Sequence, residues 1–342
     1  MVLYYYMEKT VFNKKEIKNI LNEKYNISVL GTLKLRKGSA NIYLILAKDK
    51  KYILKEFQSK FTPQNVESEY NFLKSLEDIN TYDYLITTDN QCFFVYREKV
   101  CVLMEYIKGR TYKNNSLSLK QLEKVAYNHS ILTRALNKNQ VIENFDTFLQ
   151  WRDIDKNRQF MRNFLKKEIT NATDKKIKDD YIEKLKIIES INIRSCLETL
   201  NDSINCISCH GDYSIQQLIF NRDKITILDF ITYRKLPISW EIIRSYSYAD
   251  KDCKDGKINI NNLIAYLKVF TQNFPLSKQD IEYMPLIYLL QLLSSNYGYK
   301  QYIADNTQKK LLEFGIFRTN LCLDIFNNLE NYKNDLLASF NY

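Results

Sequence analysis

The stretch His210-Gly211-Asp212-Tyr213-Ser214-Ile215-Gln216-Gln217, followed by Ile225-Thr226-Ile227-Leu228-Asp229-Phe230, decides how this chain is read. It sets two carboxylates 17 residues apart, each behind a short apolar run. Asp212 follows Ile207-Ser208-Cys209 and opens a loop, whereas Asp229 closes the run from Ile225 to Leu228. Short apolar runs of this kind, bounded by turn residues, read as buried strands. Two strands joined by a tight loop would bring both carboxylates to one mouth. The bland alternative is that both aspartates are turn-formers after buried strands.

A carboxylate pair at one mouth suits phosphoryl transfer, in which one residue orients the attacking hydroxyl and another holds Mg²⁺ on the nucleotide phosphates. His-Gly-Asp, an amide residue five positions later and a hydrophobic-Asp-aromatic run together resemble the aminoglycoside phosphotransferase/choline kinase group. The resemblance spans residues 31–244 and departs at one point, because Gln217 stands where that group carries Asn. The extra methylene moves the amide oxygen by about 1.5 Å on a fixed backbone. The resemblance implies an α+β, bilobal, protein-kinase-like fold: a small antiparallel-sheet lobe over residues 1–106 and a large, mainly helical lobe over 107–342. It also implies ATP or GTP with Mg²⁺ as cofactors and a small-molecule hydroxyl acceptor as partner. Asp212 is then the expected catalytic base, with Asp229 and Gln217 as the expected metal ligands.

Upstream segments fit the same scheme. Lys55 ends Tyr52-Ile53-Leu54-Lys55, the spacing of a strand whose lysine clamps nucleotide phosphates. Glu69, in Glu69-Tyr70-Asn71-Phe72-Leu73, resembles the carboxylate that positions such a lysine, with Glu67 as the competitor on another helical face. Ser39, in Gly38-Ser39-Ala40-Asn41, falls where small residues would let backbone N–H groups approach phosphate oxygens. Glu105, Tyr106 and Ile107, ahead of Gly109, resemble the hinge whose main chain meets adenine. Any of these alone has an ordinary reading: an edge lysine, a hairpin turn, a strand-to-helix connection. Of the two histidines, His210 resembles a brace of the catalytic loop and His129 a satisfied packing residue. Glu241 takes the place of a group Asp and is expected to brace the loop after Asp229.

Periodicity fills in the rest. Helices are expected over 13–25 and 63–76, and strands over 27–35, 41–47, 51–57, 84–87, 92–97 and 100–106. Trp151, Ile154, Met161 and Leu165 keep helical spacing, as do Ile177, Tyr181, Leu185 and Ile188, which suggests an inserted antiparallel helix pair. Further helices are expected over 241–248, 261–272, 279–303 and 308–331.

Composition bounds the alternatives. The 342 residues, 45% of them hydrophobic, suffice for one or two cores, and 7 Gly with 4 Pro favour long helices. The net charge of +10 is spread along the chain, and no nucleic-acid-binding motif accompanies it, so no nucleic acid partner is expected. The densest apolar run, Pro285–Leu293, is too short to span a bilayer, and the N-terminus lacks a signal-peptide pattern. A cytoplasmic protein without a membrane partner is expected, its 7 cysteines as free thiols. Cys206-Ile207-Ser208-Cys209-His210 spells the haem-attachment pattern, but it reads better as a strand with packed thiols. A second functional class stays open. Thr87-Thr88-Asp89-Asn90 is similar to kinase-like proteins associated with spore coats, and with Gln217 it would fit a weak or inactive binding protein.

Overall fold

The computed structural model describes residues 8–35, 40–48, 50–76, 78–138, 174–191 and 205–342, with isolated positions at 159, 162, 163, 167 and 200. Ser39 and the expected helix carrying Trp151, Ile154, Met161 and Leu165 lie outside them. The chain forms two compact units, one of residues 1–111 with 218–231, the other of residues 112–217 with 232–342. The segment that carries Asp229 therefore clusters with the N-terminal unit, where a linear division at residue 106 assigns it to the second.

The first unit opens with α1 (Lys14–Tyr25). Asn13 caps it by accepting from the Lys15 and Glu16 N–H groups, and Glu16 returns a bond to the Asn13 N–H. Ile17 and Leu21 bury one face of α1 in a core with Val29, Tyr43, Ile45, Leu54, Phe94 and Leu103. Five antiparallel strands follow: β1 (Val29–Leu35), β2 (Asn41–Ala47), β3 (Lys51–Glu56), β4 (Phe94–Tyr96) and β5 (Lys99–Glu105), in the order β1-β2-β3-β5-β4. The strand expected over 84–87 is reduced to a bridge between Tyr84 and Met104, the chain turning away at Thr87, whose hydroxyl bonds the Gln91 backbone. Helix α2 (Pro63–Lys74) starts behind the Thr62 cap with Pro63 in its first turn, where a missing N–H costs nothing. It buries Val66, Glu69, Phe72 and Leu73, while Glu67 faces solvent. Far along the chain, β7 (Leu218–Asn221) and β8 (Lys224–Ile227) form a hairpin in this same unit.

In the second unit, α3 (Leu119–Lys138) and α4 (Lys175–Ser190) precede β6 (Cys206–Cys209). β6 pairs with β9 (Arg234–Pro237), which runs straight into α5 (Ile238–Ala249). This corrects the expected pairing. The strand before Asp212 does not lie beside the strand before Asp229; each has its own partner, in a different unit. The helix expected over 279–303 is three: α7 (Lys278–Glu282), α8 (Met284–Leu293) and α9 (Tyr299–Ala304), after α6 (Ile260–Phe270). Pro285 can occupy only the first turn of a new helix, and Gly298, at φ +100°, forces the second break. The last expected helix is likewise divided, into α10 (Lys309–Asn327) and α11 (Leu329–Ser339). The α+β class and the antiparallel sheet expected from the motifs are the fold observed. Among the described residues no helix is long and apolar enough to cross a membrane.

Candidate functional site

In the first unit the sheet, α2 and the β7–β8 hairpin assemble one charged group. Lys55, next to last on β3, points its Nζ to Oδ1 of Asp229 at 2.7 Å, joining residues 174 positions apart. The lysine side chain is 9% exposed and the aspartate 34%. Burial works to lower the Lys55 pKa, but the carboxylates of Asp229 and Glu69 outweigh it and hold the ammonium above its ordinary value. Asp229 takes φ +64°, a left-handed conformation uncommon among L-residues though open to Asp, and its surroundings hold it there. Those surroundings are the segment before Tyr82. Asn80 accepts from the Ile227 N–H and donates to the Thr226 hydroxyl, and Thr81 donates to the Ile227 carbonyl. Phe230, directly after Asp229, donates its N–H to the Tyr82 hydroxyl and packs against Phe72 and Tyr82.

Glu69 acts on Lys55 through charge. Its Oε1 accepts from the Tyr82 hydroxyl and its Oε2 from the Tyr84 hydroxyl at 2.6 Å, and all three side chains are buried. Burial is the largest influence and raises the Glu69 pKa; Lys55 and the two tyrosines offset only part of it. The sequence reading missed Tyr82 and Tyr84. Their i, i+2 spacing, which puts two side chains on one side of an extended segment, was the available signal.

The expected hinge lies at the end of β5. Tyr106 N–H donates to the Lys51 carbonyl at 3.0 Å and so belongs to the sheet, while the Glu105 carboxylate takes the exposed ammonium of Lys50. Gly109 has a reason the sequence did not show. A Cβ there would lie 2.3 Å from the Ile219 side chain and 2.8 Å from the Phe220 carbonyl oxygen. The close approach lets Arg110 and Phe220 exchange two main-chain hydrogen bonds.

In the second unit the group centres on Asp212. Glu241, on the first turn of α5, accepts from the backbone N–H of His210 at 3.1 Å and of Gly211 at 2.6 Å. Its Oε2 also meets His129 Nε2 at 3.3 Å. Glu241 thus braces the loop before Asp212, not the loop after Asp229: β9 ends with Pro237 beside Cys206, at the start of β6, and the first turn of α5 reaches the N–H groups that follow the other end of that strand. Burial would raise the Glu241 pKa, yet the His129 contact and the other donors hold it below the ordinary value. His129 is fully buried, its pKa lowered first by burial. The ring stacks on Tyr213 at 4.0 Å between centroids and meets the Tyr266 hydroxyl through Nδ1. His210 accepts from the Asp212 N–H through Nδ1, a bracing role. Gly211, at φ +82°, has no room for a Cβ, which would fall 2.0 Å from the Thr232 carbonyl oxygen.

Both carboxylate oxygens of Asp212 are engaged. Gln217 Nε2 donates to Oδ2 at 3.0 Å, and Arg244 Nη2 donates to Oδ1. Sequence reasoning did not single out Arg244. It lies between the rings of Trp240 and Tyr248, with Cζ 5.3 and 5.1 Å from their centroids. The 240, 244, 248 spacing on one face of a helix was legible. Arg244 Nη1 is buried without a protein hydrogen-bond partner, a loss of about 1–3 kcal/mol for a donor in that state.

The carboxylate of Asp229, in the first unit, is of the type that holds Mg²⁺ together with phosphate and water, and Gln217, in the second, carries an amide oxygen. Gln217 turns its amide nitrogen to Asp212, which directs the amide oxygen elsewhere. Among the described residues no cluster of three or more His, Cys, Asp or Glu could hold a metal.

No family model and no curated protein matches the sequence. Solved structures do match in three dimensions. A spectinomycin phosphotransferase in complex with ADP and spectinomycin is 15% identical, over 94% of this chain and 99% of its own, with a TM-score of 0.65. An aminoglycoside phosphotransferase from Alicyclobacillus acidocaldarius is 14% identical over 96% and 98%, at 0.59. An amicoumacin kinase in complex with AMP-PNP and Ca²⁺ is 10% identical over 93% and 97%, at 0.61. The chain thus has the fold of the aminoglycoside phosphotransferases and related small-molecule kinases, the group its motifs resemble.

Proposed function

We propose that the chain is a cytoplasmic, ATP-dependent phosphotransferase of the aminoglycoside phosphotransferase/choline kinase type, moving the γ-phosphoryl group to a hydroxyl of a small molecule. The observation that carries the reading is the Lys55–Asp229 pair, built from opposite ends of one unit with Asp229 in a left-handed backbone. Such uncommon conformations cluster at functional sites.

In this reading Lys55 leaves Asp229 for the α- and β-phosphates, with Glu69 keeping it charged. Ser39 and its neighbours cover the phosphates, and the Glu105 carbonyl and Ile107 N–H meet adenine, because the Tyr106 N–H is used by the sheet. Asp229 and the Gln217 amide oxygen would hold Mg²⁺. When bound, the ion supplies charge to the phosphate oxygens during transfer. Asp212 orients the acceptor hydroxyl and takes its proton, within a loop that Glu241, His129 and His210 hold in place. A weak or inactive binding protein is the second reading, favoured by the engagement of Gln217 with Asp212.

A thermal-shift titration with Mg·ATP and Mg·GTP, wild type beside Asp229→Ala, tests the proposal. A ligand at a hundred times its Kd stabilises the native state by about 2.7 kcal/mol. A magnesium-dependent shift that Asp229→Ala loses is expected. No shift with either nucleotide in folded wild type would leave the second reading.

A further inference from the structure

We propose that Arg244 is a specificity-determining residue, and that the acceptor it selects is a neutral or acidic hydroxy compound, such as a polyol, a sugar or a hydroxy acid, rather than a polyamine. The inference rests on the phosphotransferase reading, since it takes Asp212 as the group that meets the acceptor hydroxyl. Its basis is the charge at that carboxylate. Arg244 donates to Oδ1, and a guanidinium stays protonated at any ordinary pH. The pair carries no net charge where a lone aspartate would carry one negative charge. A polyammonium acceptor gains affinity from carboxylates near its amines, and here the carboxylate at the reacting hydroxyl is already paired with a cation.

That cation is held in place. Trp240, Arg244 and Tyr248 follow one another on one face of α5, with both rings buried and the guanidinium between them. An ammonium group brought to this carboxylate meets the repulsion of the guanidinium as well as the attraction of the aspartate, whereas an uncharged or acidic hydroxy compound meets no such repulsion. Two like charges about 6 Å apart at an effective dielectric of about 20 shift an equilibrium on the order of a hundredfold. The Arg244 and Asp212 side chains are 17% and 33% exposed, so screening reduces the expected effect to about tenfold.

The test uses the full chain with Mg·ATP, and gluconate, ribitol and kanamycin as probe acceptors. Arg244→Met is compared with wild type and with Arg244→Lys. The Mg·ATP thermal shift of each protein is recorded first, as a measure of folding and nucleotide binding that is independent of the acceptor. Wild type is expected to show a higher kcat/KM for gluconate or ribitol than for kanamycin. Arg244→Met is expected to move that ratio toward kanamycin by about tenfold, through KM, and Arg244→Lys to keep the wild-type preference. If kanamycin serves wild type at least as well as both hydroxy compounds, the case of no turnover with any of them included, the inference is overturned while the nucleotide reading stands. A ratio unchanged in a folded Arg244→Met protein overturns it as well. Wild type without a Mg·ATP shift overturns the phosphotransferase reading and the inference together. The wild-type comparison decides whether or not the methionine variant folds.

Discussion

Replacing Glu241 by Gln changes one oxygen to an amino group at a fully buried carboxylate of the second unit. The carboxylate accepts from three buried donors: the backbone N–H groups of His210 and Gly211, and His129 Nε2. An amide keeps one oxygen, so at least one donor loses its acceptor and faces a second donor. A buried donor left unsatisfied costs about 1–3 kcal/mol, and bonds to a charged acceptor are the stronger kind. Glu241→Gln is therefore expected to cost about 2–3 kcal/mol, and Glu241→Ala, which orphans all three, about 3–6 kcal/mol. The alanine loss is comparable with the whole stability of many domains. Urea unfolding followed by tryptophan fluorescence reads the change as a lower midpoint at constant slope. The loop before Asp212 should shift too, so kcat should fall while the Mg·ATP thermal shift, which rests chiefly on Lys55 and Asp229 of the other unit, persists in large part. A glutamine variant within about 0.5 kcal/mol of wild type would refute the reasoning, because the size of effect expected of an ordinary surface substitution would then suffice.

Other expectations follow from the same contacts. His129 has a lowered pKa in the folded state, so the unfolded chain binds a proton that the native chain refuses as pH falls below about 6.5. Stability should thus be lost on acidification through that window, by up to about 1.4 kcal/mol per pH unit for this one site, and urea unfolding of His129→Gln at pH 7 and 5.5 should show a smaller slope than wild type. Tyr82→Phe removes the hydroxyl that accepts from the Phe230 N–H and donates to Glu69; it should cost about 1–3 kcal/mol and weaken Mg·ATP binding in a calorimetric titration. Gly211→Ala must move the Thr232 carbonyl or the loop, so activity should drop even where circular dichroism shows a native fold. Asp212→Ala should abolish turnover in a labelled-ATP assay and keep the Mg·ATP thermal shift; substantial residual transfer would mean that another group serves as base.

The elements that a periodic pattern defines were legible. Helix α1 shows its cap and its buried Ile17 and Leu21 in the sequence, and β1 to β3 alternate or run apolar as strands do. Glu69 could be told from Glu67 only as a choice of helical face, and burial of Val66, Glu69, Phe72 and Leu73 decides it. Pairing was not legible. β6 and β8 are four residues each, and a short apolar run says that a strand exists without saying what lies beside it. The partner of β6 proved to be β9, a stretch of Arg, Lys, Leu and Pro with little strand signal of its own. Contacts made by single polar groups were equally hidden. Nothing in the pattern of Tyr82, Tyr84 or Arg244 says which carboxylate each will meet, because that depends on where separate elements pack.

The way Glu241 grips its loop bears on how this protein can change over generations. It holds residues 210 and 211 by their main chain alone, and every residue except proline brings the same N–H group. Of the side chains along 213–216, Tyr213, Ser214 and Ile215 are buried and Gln216 is exposed, so Gln216 can drift without loosening the frame that carries Asp212. A lineage with such a frame can vary what surrounds the loop while inheriting the loop itself unchanged.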